Sequence, residues 1–294
     1  MQTNSIHECT TRFGEADLIL NKDGSVYHLN LKPGNVSDTI ILVGDPGRVH
    51  KVSQYFDEVE FEMNQREFIT HTGKYKGKKI TVMSTGMGVA NLEIVLIELD
   101  ALFNINLKKR EPKADIHQLN LIRIGTSGGL REDLALGSQV VNNYAIGMST
   151  LMNFYQLEQS DFEINVSQSL KSHLGLNFTP FCVKANEELK EKLAFDMIEG
   201  NTMTTPGFYA PQGRVTRIPK RYDNLVNELI YFHVDDFWIT NFEMETAALY
   251  GMSRLLGHKA LSINTILANR AKNTFSKNPY KQIEYLIKKV LERI

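Results

Sequence analysis

Phe208-Tyr209-Ala210-Pro211-Gln212-Gly213-Arg214 sets an aromatic face, an amide and a guanidinium within seven residues of one another. Those three groups match a flat heterocycle that carries an acceptor–donor–acceptor edge. The ring stacks on the aromatic, the Gln212 amide pairs with one carbonyl and the N–H beside it, and the Arg214 fork takes the second carbonyl. Uracil has such an edge. Aromatic, Gln and Arg residues also meet in ordinary loops, so the segment takes its meaning from what else the chain carries.

Two glycine-bearing segments place an arginine beside flexible backbone. Arg48 follows Gly44-Asp45-Pro46-Gly47, and Arg123 stands just before Gly125-Thr126-Ser127-Gly128-Gly129. Glycine lets backbone N–H groups approach an anion, and Arg offers phosphate oxygens a bidentate fork. Either segment alone reads as a tight turn with a solvated side chain. The pair, with Thr126 as a hydroxyl donor, reads as an oxyanion site. It is not a triphosphate loop, since no Gly-x-x-x-x-Gly-Lys-Ser/Thr occurs.

Gly86-Met87-Gly88-Val89-Ala90-Asn91 follows a strand-like run and opens a helix, as a dinucleotide fingerprint does. Its third position is Asn, and no acidic residue ends a following strand, so a nicotinamide cofactor is not expected. Asn241-Phe242-Glu243-Met244-Glu245-Thr246 puts two carboxylates two apart where a helix begins. Such acids often only complement the helix dipole. They also suit a vicinal diol, accepting from both hydroxyls of a ribose. His28, in the alternating stretch Val26-Tyr27-His28-Leu29, reads by default as a packing or surface residue. There is no Gly-x-Ser-x-Gly elbow and no histidine at a readable spacing from Ser127, so a serine nucleophile is disfavoured.

These residues need elements to hold them. Ile40-Ile41-Leu42-Val43, Lys79 to Met83 and Leu119 to Ile124 read as buried strands, each ending at one of the glycine-rich turns. Ala260 to Ile266 is a further strand, running into Asn269-Arg270. Leu92 to Phe103 reads as a helix. So does the segment carrying Ala247, Ala248, Met252, Leu255 and Leu256, which stops at Gly257. Ile283, Leu286, Ile287, Val290, Leu291 and Ile294 mark one buried face of a last helix. Strands alternating with helices imply a largely parallel sheet covered on both sides, with the ligand beyond the carboxyl ends of its strands. The glycine-rich turns should therefore meet at one cleft.

The 294 residues suffice for a large core, and no linker or repeat divides them. Lys plus Arg (33) nearly cancel Asp plus Glu (34), which gives no reason to expect a nucleic-acid or membrane partner. No apolar run nears the roughly 20 residues of a membrane span. The polar start, Met1 to Glu15, has no signal-like apolar core. Cys9 and Cys182 are far apart, so neither a disulfide framework nor a metal site is expected, and a cytoplasmic setting is.

Phosphate-type arginines, a diol-binding carboxylate pair and a uracil-shaped loop together describe attack of phosphate on a pyrimidine nucleoside. With these residues in place the chain resembles the nucleoside phosphorylase family, and within it the uridine phosphorylases. Nine motifs carry the likeness in family order: Val26-Tyr27-His28-Leu29, Val43-Gly44-Asp45-Pro46-Gly47-Arg48, Arg66-Glu67-Phe68, Ser84-Thr85-Gly86-Met87-Gly88, Arg123 to Gly128, Gly200-Asn201-Thr202-Met203-Thr204, Phe208-Tyr209 with Gln212-Gly213-Arg214, Phe242-Glu243-Met244-Glu245, and Asn269-Arg270.

The resemblance implies a three-layer αβα fold around a central mixed, partly closed sheet, with dimers that often assemble into hexamers. It divides the chain into an N-terminal extension, 1–21, and one domain, 22–294. It assigns phosphate to Gly44, Arg48, Arg123 and Thr126, with Arg66 reaching a second subunit's phosphate. Ribose falls to Glu243, Met244 and Glu245, with His28 crossing to the second subunit's 5′-hydroxyl. The base falls to Phe208, Gln212 and Arg214, with Arg270 behind them. Arg48, Arg123 and Arg214 are the expected catalytic groups. No cofactor is implied, since inorganic phosphate is a co-substrate. Some relatives hold a monovalent cation at the dimer interface near Glu67, where another ligand position falls on Asn91.

Two departures stand out. The usual Pro-Gly before the base-binding Gln is inverted to Ala210-Pro211, and Thr150 to Glu199 carries little family signature. The alternatives are a purine nucleoside phosphorylase, a nucleosidase using water, and a binding protein without catalysis. Purine enzymes of this fold place an acid near N7 where this chain has Ala268-Asn269-Arg270. A nucleosidase leaves Arg48, Arg66 and Arg123 facing nothing anionic, and a degenerate binder should have lost charged site residues. Arg123→Ala is expected to remove a phosphate ligand and no core volume.

Overall fold

The computed structural model describes residues 12–294, so Cys9 and the first half of the expected extension lie outside the described residues. Eleven strands form one sheet: β1 (Thr39–Val43), β2 (Glu58–Gln65), β3 (Phe68–Tyr75), β4 (Lys78–Ser84), β5 (Asn120–Gly129), β6 (Gln139–Gly147), β7 (Phe181–Lys184), β8 (Ile198–Thr204), β9 (Asn241–Glu243), β10 (Lys259–Asn269) and β11 (Thr274–Phe275). The helices are α1 (Pro46–Ser53), α2 (Val89–Asn104), α3 (Asp161–Leu174), α4 (Glu187–Ala194), α5 (Leu225–Tyr231), α6 (Thr246–Leu256) and α7 (Pro279–Leu291).

Ile40, Ile41, Leu42 and Val43 have no exposed surface, which fits β1 to the sheet interior between β4 and β5, parallel to both. From β5 the sheet closes on itself. β5 pairs with β10, β10 with β6, β6 with β8, β8 with β9, and β9 returns to β5. This is the partly closed sheet the resemblance implies: a five-stranded barrel with β1 to β4 running off one side. It corrects the reading from alternation alone. The sheet is mixed, because β2, β3 and β4 are antiparallel and β5–β9 and β6–β10 also run antiparallel.

The second correction concerns Gly125-Thr126-Ser127-Gly128-Gly129, which continues β5 to its end rather than turning. Its glycines serve close approach. A Cβ at Gly128 would lie 2.9 Å from the Phe242 ring, and one at Gly129 would lie 3.0 Å from Leu134. Gly44-Asp45-Pro46-Gly47 opens a helix: Asp45 accepts from the Gly47 N–H at 2.9 Å and Pro46 takes the first turn.

The helices follow their sequence signals. α6 ends at Gly257 with φ of 77°, the left-handed cap that glycine adopts freely. α7 buries Ile283, Leu286, Ile287, Val290 and Leu291 on one face. α2 is apolar over most of its surface and packs against α6. Residues 12–21 lie against the domain, where Leu18 is buried, Leu20 bridges Val26 and Arg110 donates to the Leu18 carbonyl.

The stretch 150–199 builds α3, β7 and α4, fastened by one carboxylate. Glu163 closes a capping box with Ser160, accepts the Lys184 N–H at 2.7 Å and takes a two-pronged ion pair from Arg254 at 2.7 and 2.9 Å. Burial pulls the Glu163 pKa upward, but Arg254 and the N–H groups of Ser160 and Lys184 outweigh it and hold the acid below its usual range. A depressed carboxylate stabilises the fold above its unfolded pKa and loses that contribution as pH falls through the folded value. Glu163→Gln should therefore cost on the order of 2–3 kcal/mol at neutral pH, less than a fully buried pair because Arg254 is partly exposed. Urea denaturation should show that deficit shrink below about pH 4.

Candidate active site

β1, β4, β5 and β10 end at one cleft of about 720 Å³. Its walls include Gly44 and Arg48, Arg123 and Thr126, Phe208, Gln212 and Arg214, and Glu243, Met244 and Glu245. Ten residues singled out in the sequence, drawn from four separate segments, thus meet in one place. The strand-end rule for α/β sheets holds.

One end of the cleft is cationic. Arg48, carried on the first turn of α1, donates from Nη1 to the Ile124 carbonyl at 3.2 Å. Burial and the nearby charge of Arg123 push the Arg48 pKa down, with Asp45 and Glu245 pulling the other way. Two guanidinium groups that repel each other across a cleft wall make a seat for an anion.

Arg123 itself is buried. Its Nη2 pairs with Glu245 Oε2, and its Nη1 donates to Asn264 Oδ1 at 3.1 Å. Nη1 also stands 3.6 Å from Glu243 Oε2. Gly125 makes room for this side chain: a Cβ there would lie 2.0 Å from Arg123 Nη1 and 2.1 Å from Asn264 Oδ1.

The two carboxylates do different work. Glu243 is already engaged within the chain: Oε1 accepts from Thr204 at 2.6 Å, and Oε2 accepts the N–H groups of Glu245 and Thr246, both at 2.8 Å. It thereby sets the start of α6. Glu245 takes the Gly88 N–H at 2.7 Å on Oε1 and Arg123 on Oε2. Burial pushes its pKa above the usual carboxylate range, opposed by Arg123 and reinforced by Glu243.

At the other end lies the aromatic–amide–guanidinium segment. Ala210–Gln212 forms a short 3₁₀ turn, and Gly213 reverses it at φ of 68°. The reversal brings Arg214 back over the Phe208 ring at 3.6 Å and onto Gln212 Oε1 at 2.6 Å. Gln212 Nε2 donates to Thr205 Oγ1 at 3.0 Å. Burial, helped by the charge of Arg270, lowers the Arg214 pKa to about 10. Arg270 donates to the Gln212 carbonyl at 2.9 Å and lies over Phe242 at 5.4 Å, behind the loop and outside the cleft wall.

His28 and Arg66 are not in the cleft of this chain. His28 Nδ1 meets Glu98 Oε1 at 2.6 Å, and Glu98 also takes the backbone N–H groups of His28 and Leu29. Arg66 turns between β2 and β3 with φ of 54°, its guanidinium 5.6 Å from the Tyr27 ring. The neighbouring Tyr27 and His28 rings meet edge to face at 4.9 Å. The structure also adds wall residues that sequence reasoning passed over, among them Leu267 and Phe275. Leu267 lies inside an apolar run, where only the barrel geometry exposes it to the cleft.

With this fold and cleft the chain belongs to the phosphorylase superfamily, whose family model matches residues 38–294. A uridine phosphorylase of Thermococcus kodakarensis is 31% identical over 274 residues, covering 92% of this chain and 87% of that protein. A DeoD-type purine nucleoside phosphorylase of Listeria monocytogenes is 29% identical over 240 residues, covering 81% and 85%. Among solved structures, a Trypanosoma brucei nucleoside phosphorylase described as showing uridine phosphorylase activity superposes with a TM-score of 0.86 at 30% identity, covering 94% of this chain and 99% of that one. A uridine phosphorylase of the oomycete Phytophthora capsici superposes at 0.67 with 25% identity, covering 93% and 95%.

Beyond removing a ligand and no core volume, Arg123→Ala would also strip Glu245 of its ion-pair partner. Arg123→Ala leaves Glu245 buried with one N–H and no counter-charge. A loss on the order of 3 kcal/mol follows. Because the stranded carboxylate titrates with a raised pKa, its penalty is absent below the unfolded value and grows as pH rises. Thermal melts should therefore show a Tm deficit that is large near neutrality and smaller toward about pH 5.

Proposed function

We propose that this chain catalyses the reversible phosphorolysis of uridine to uracil and ribose 1-phosphate. The observation that carries the reading is the base loop, where Phe208 offers an aromatic face and Gln212 and Arg214 stand in contact beside it. Gly44, Arg48, Arg123 and Thr126 take phosphate at the cationic end. Glu245 and Met244 take the ribose between them, and Glu243 acts through the start of α6, which it holds. Arg270 steadies Gln212 from behind.

The mechanism is positional and electrostatic. Phosphate is aimed at the anomeric carbon as the glycosidic bond loosens toward an oxocarbenium-like transition state. The dianion stabilises the cationic sugar, while Arg214 and Gln212 stabilise charge on the departing uracil. Removing one such oriented donor typically costs roughly 3–4 kcal/mol, and positioning of reactants contributes roughly 7–11 kcal/mol. No covalent intermediate with the protein is required.

His28 and Arg66, each near Tyr27 and away from this chain's own cleft, would act as donors to the cleft of a second copy. The enzyme is accordingly a homo-oligomer built from dimers. Glu67 and Asn91 flank Gly86 at the cleft edge and offer one carboxylate and one amide oxygen. A monovalent cation there would take its remaining oxygens from the second copy and would serve the interface. The catalytic domain spans 22–294. Among the described residues no helix is long and apolar enough to cross a membrane. Cys182 is a buried thiol pushed far above its usual pKa by burial, in keeping with a cytoplasmic enzyme that does not use it.

Purine cleavage is disfavoured by Asn269. Its Nδ2 donates to the carbonyls of Arg131 and Leu134, and its Oδ1 accepts the Lys272 N–H, all at 2.9 Å. The side chain is turned away from the cleft, and no acid replaces it there. Purified protein with uridine should release uracil only when inorganic phosphate is added. Release without phosphate would make it a nucleosidase, and cleavage of inosine but not uridine would overturn the base assignment. Arg214→Ala should lower kcat/KM for uridine by roughly 10²–10³.

A further inference from the structure

We propose that Asn264 is a positioning residue for Arg123, a neutral clamp that holds the guanidinium open to phosphate without adding a second carboxylate to the one, Glu245, that it already pairs with. The proposal rests on the reading of the cationic end as a phosphate site. Asn264 sits on β10 opposite Gly125 in the parallel pairing with β5, and it has no exposed surface. It interrupts an otherwise apolar and hydroxyl-bearing run, Leu261-Ser262-Ile263-Asn264-Thr265-Ile266. A fully buried amide in such a strand needs a polar partner. That partner is Arg123 Nη1, at 3.1 Å. Because a guanidinium only donates, the amide orientation is fixed, with oxygen toward Arg123.

The clamp has three sides. Glu245 holds Nη2, Asn264 holds Nη1, and the missing Cβ of Gly125 leaves the notch in which the guanidinium lies. Arginine has five N–H donors. Among the described residues only part of that set is satisfied, and the buried Arg123 Nε has no partner. N–H donors are thus left that an oxyanion in the cleft would satisfy.

The choice of amide follows from charge. Glu243 Oε2 stands 3.6 Å from Nη1, so a guanidinium without Asn264 has a second carboxylate within reach. Collapse onto Glu243 would put a second carboxylate on a cation already paired with Glu245, leaving it in net negative surroundings, and would disturb the carboxylate that sets α6. Asn264 competes for Nη1 as a neutral acceptor. A carboxylate at 264 would hold the same geometry and oppose the anion.

Calorimetric titration of inorganic phosphate, together with uridine phosphorolysis kinetics, tests this on Asn264→Ala and Asn264→Asp. For Asn264→Ala the phosphate Kd and KM should rise roughly tenfold, the value of one hydrogen bond to a charged group, while the uridine KM moves by less than about twofold. Asn264→Asp, nearly identical in shape, should bind phosphate more weakly than Asn264→Ala. A purely structural role predicts the reverse order, and that order would overturn the proposal, as would an unchanged phosphate Kd in Asn264→Ala. If Asn264→Ala does not fold, Gly125→Ala serves instead. Its methyl lands on Nη1 and should produce the same phosphate-specific loss, and normal phosphate binding in that variant counts against the clamp. The calorimetry needs no nucleoside. Phosphate binding by wild type without uridine cleavage would overturn the pyrimidine assignment and leave the clamp standing. Wild-type protein that binds no phosphate would overturn the clamp.

Discussion

A buried ion pair, Arg123 with Glu245, is the interaction on which the rest of the cleft depends. Both groups are almost fully removed from water, and each pays a desolvation cost that only good geometry offsets. The geometry comes from three elements at once. Arg123 extends from β5, Glu245 immediately precedes α6, and Glu245 also takes the Gly88 N–H at the start of α2. One carboxylate therefore ties the barrel to two helices. Its neighbour Glu243, with Thr204, gathers the first N–H groups of α6 and keeps that junction in place. Such an arrangement suits a site that must hold charged groups at fixed positions.

The sheet explains why the groups of the cleft come from distant parts of the chain. β5 lies beside β1 and β10, parallel to both, and beside β9, antiparallel, so its carboxyl half meets the segments after β1 and β10 and the start of β9. Polar side chains within the barrel wall hydrogen-bond from strand to strand, Asn142 to the Ser262 carbonyl and Asn241 to Thr202, and Thr246 at the start of α6 bonds to Ser262 of β10. These bonds favour one strand arrangement over slipped ones. The alternation of strand and helix was readable because apolar runs and glycine caps are local signals. The mixed pairing was not readable from the alternation, since strand direction depends on closure of the barrel.

The same division separates what the residues disclosed about the cleft from what they withheld. Phe208, Gln212 and Arg214 stood within one short segment, so their shared chemistry was visible at once. Gly125 to Gly129 misled, because glycine signals a turn and here instead removes side chains that would strike Arg123, Asn264, Phe242 and Leu134. Asn264 was hidden in a strand pattern, its partner 141 residues away. Glu243 looked equivalent to Glu245, and only the hydrogen bonds set them apart. The segment 150–199 lacked a family signature but keeps ordinary helix grammar, as the Ser160 and Glu163 cap shows. Glu163 fastens it to Arg254 of α6.

The repulsion between Arg48 and Arg123 has a thermodynamic corollary. Two like charges held near each other in low dielectric lower the stability of the folded chain, and an anion between them relieves that strain only in the folded state. Ligand and fold are then linked by mass action, with stabilisation rising by about 1.4 kcal/mol for each tenfold excess of anion over its dissociation constant. If that anion is the phosphate of the proposed reaction, the abundance of the co-substrate would help set how often the chain opens, and so its exposure to proteolysis.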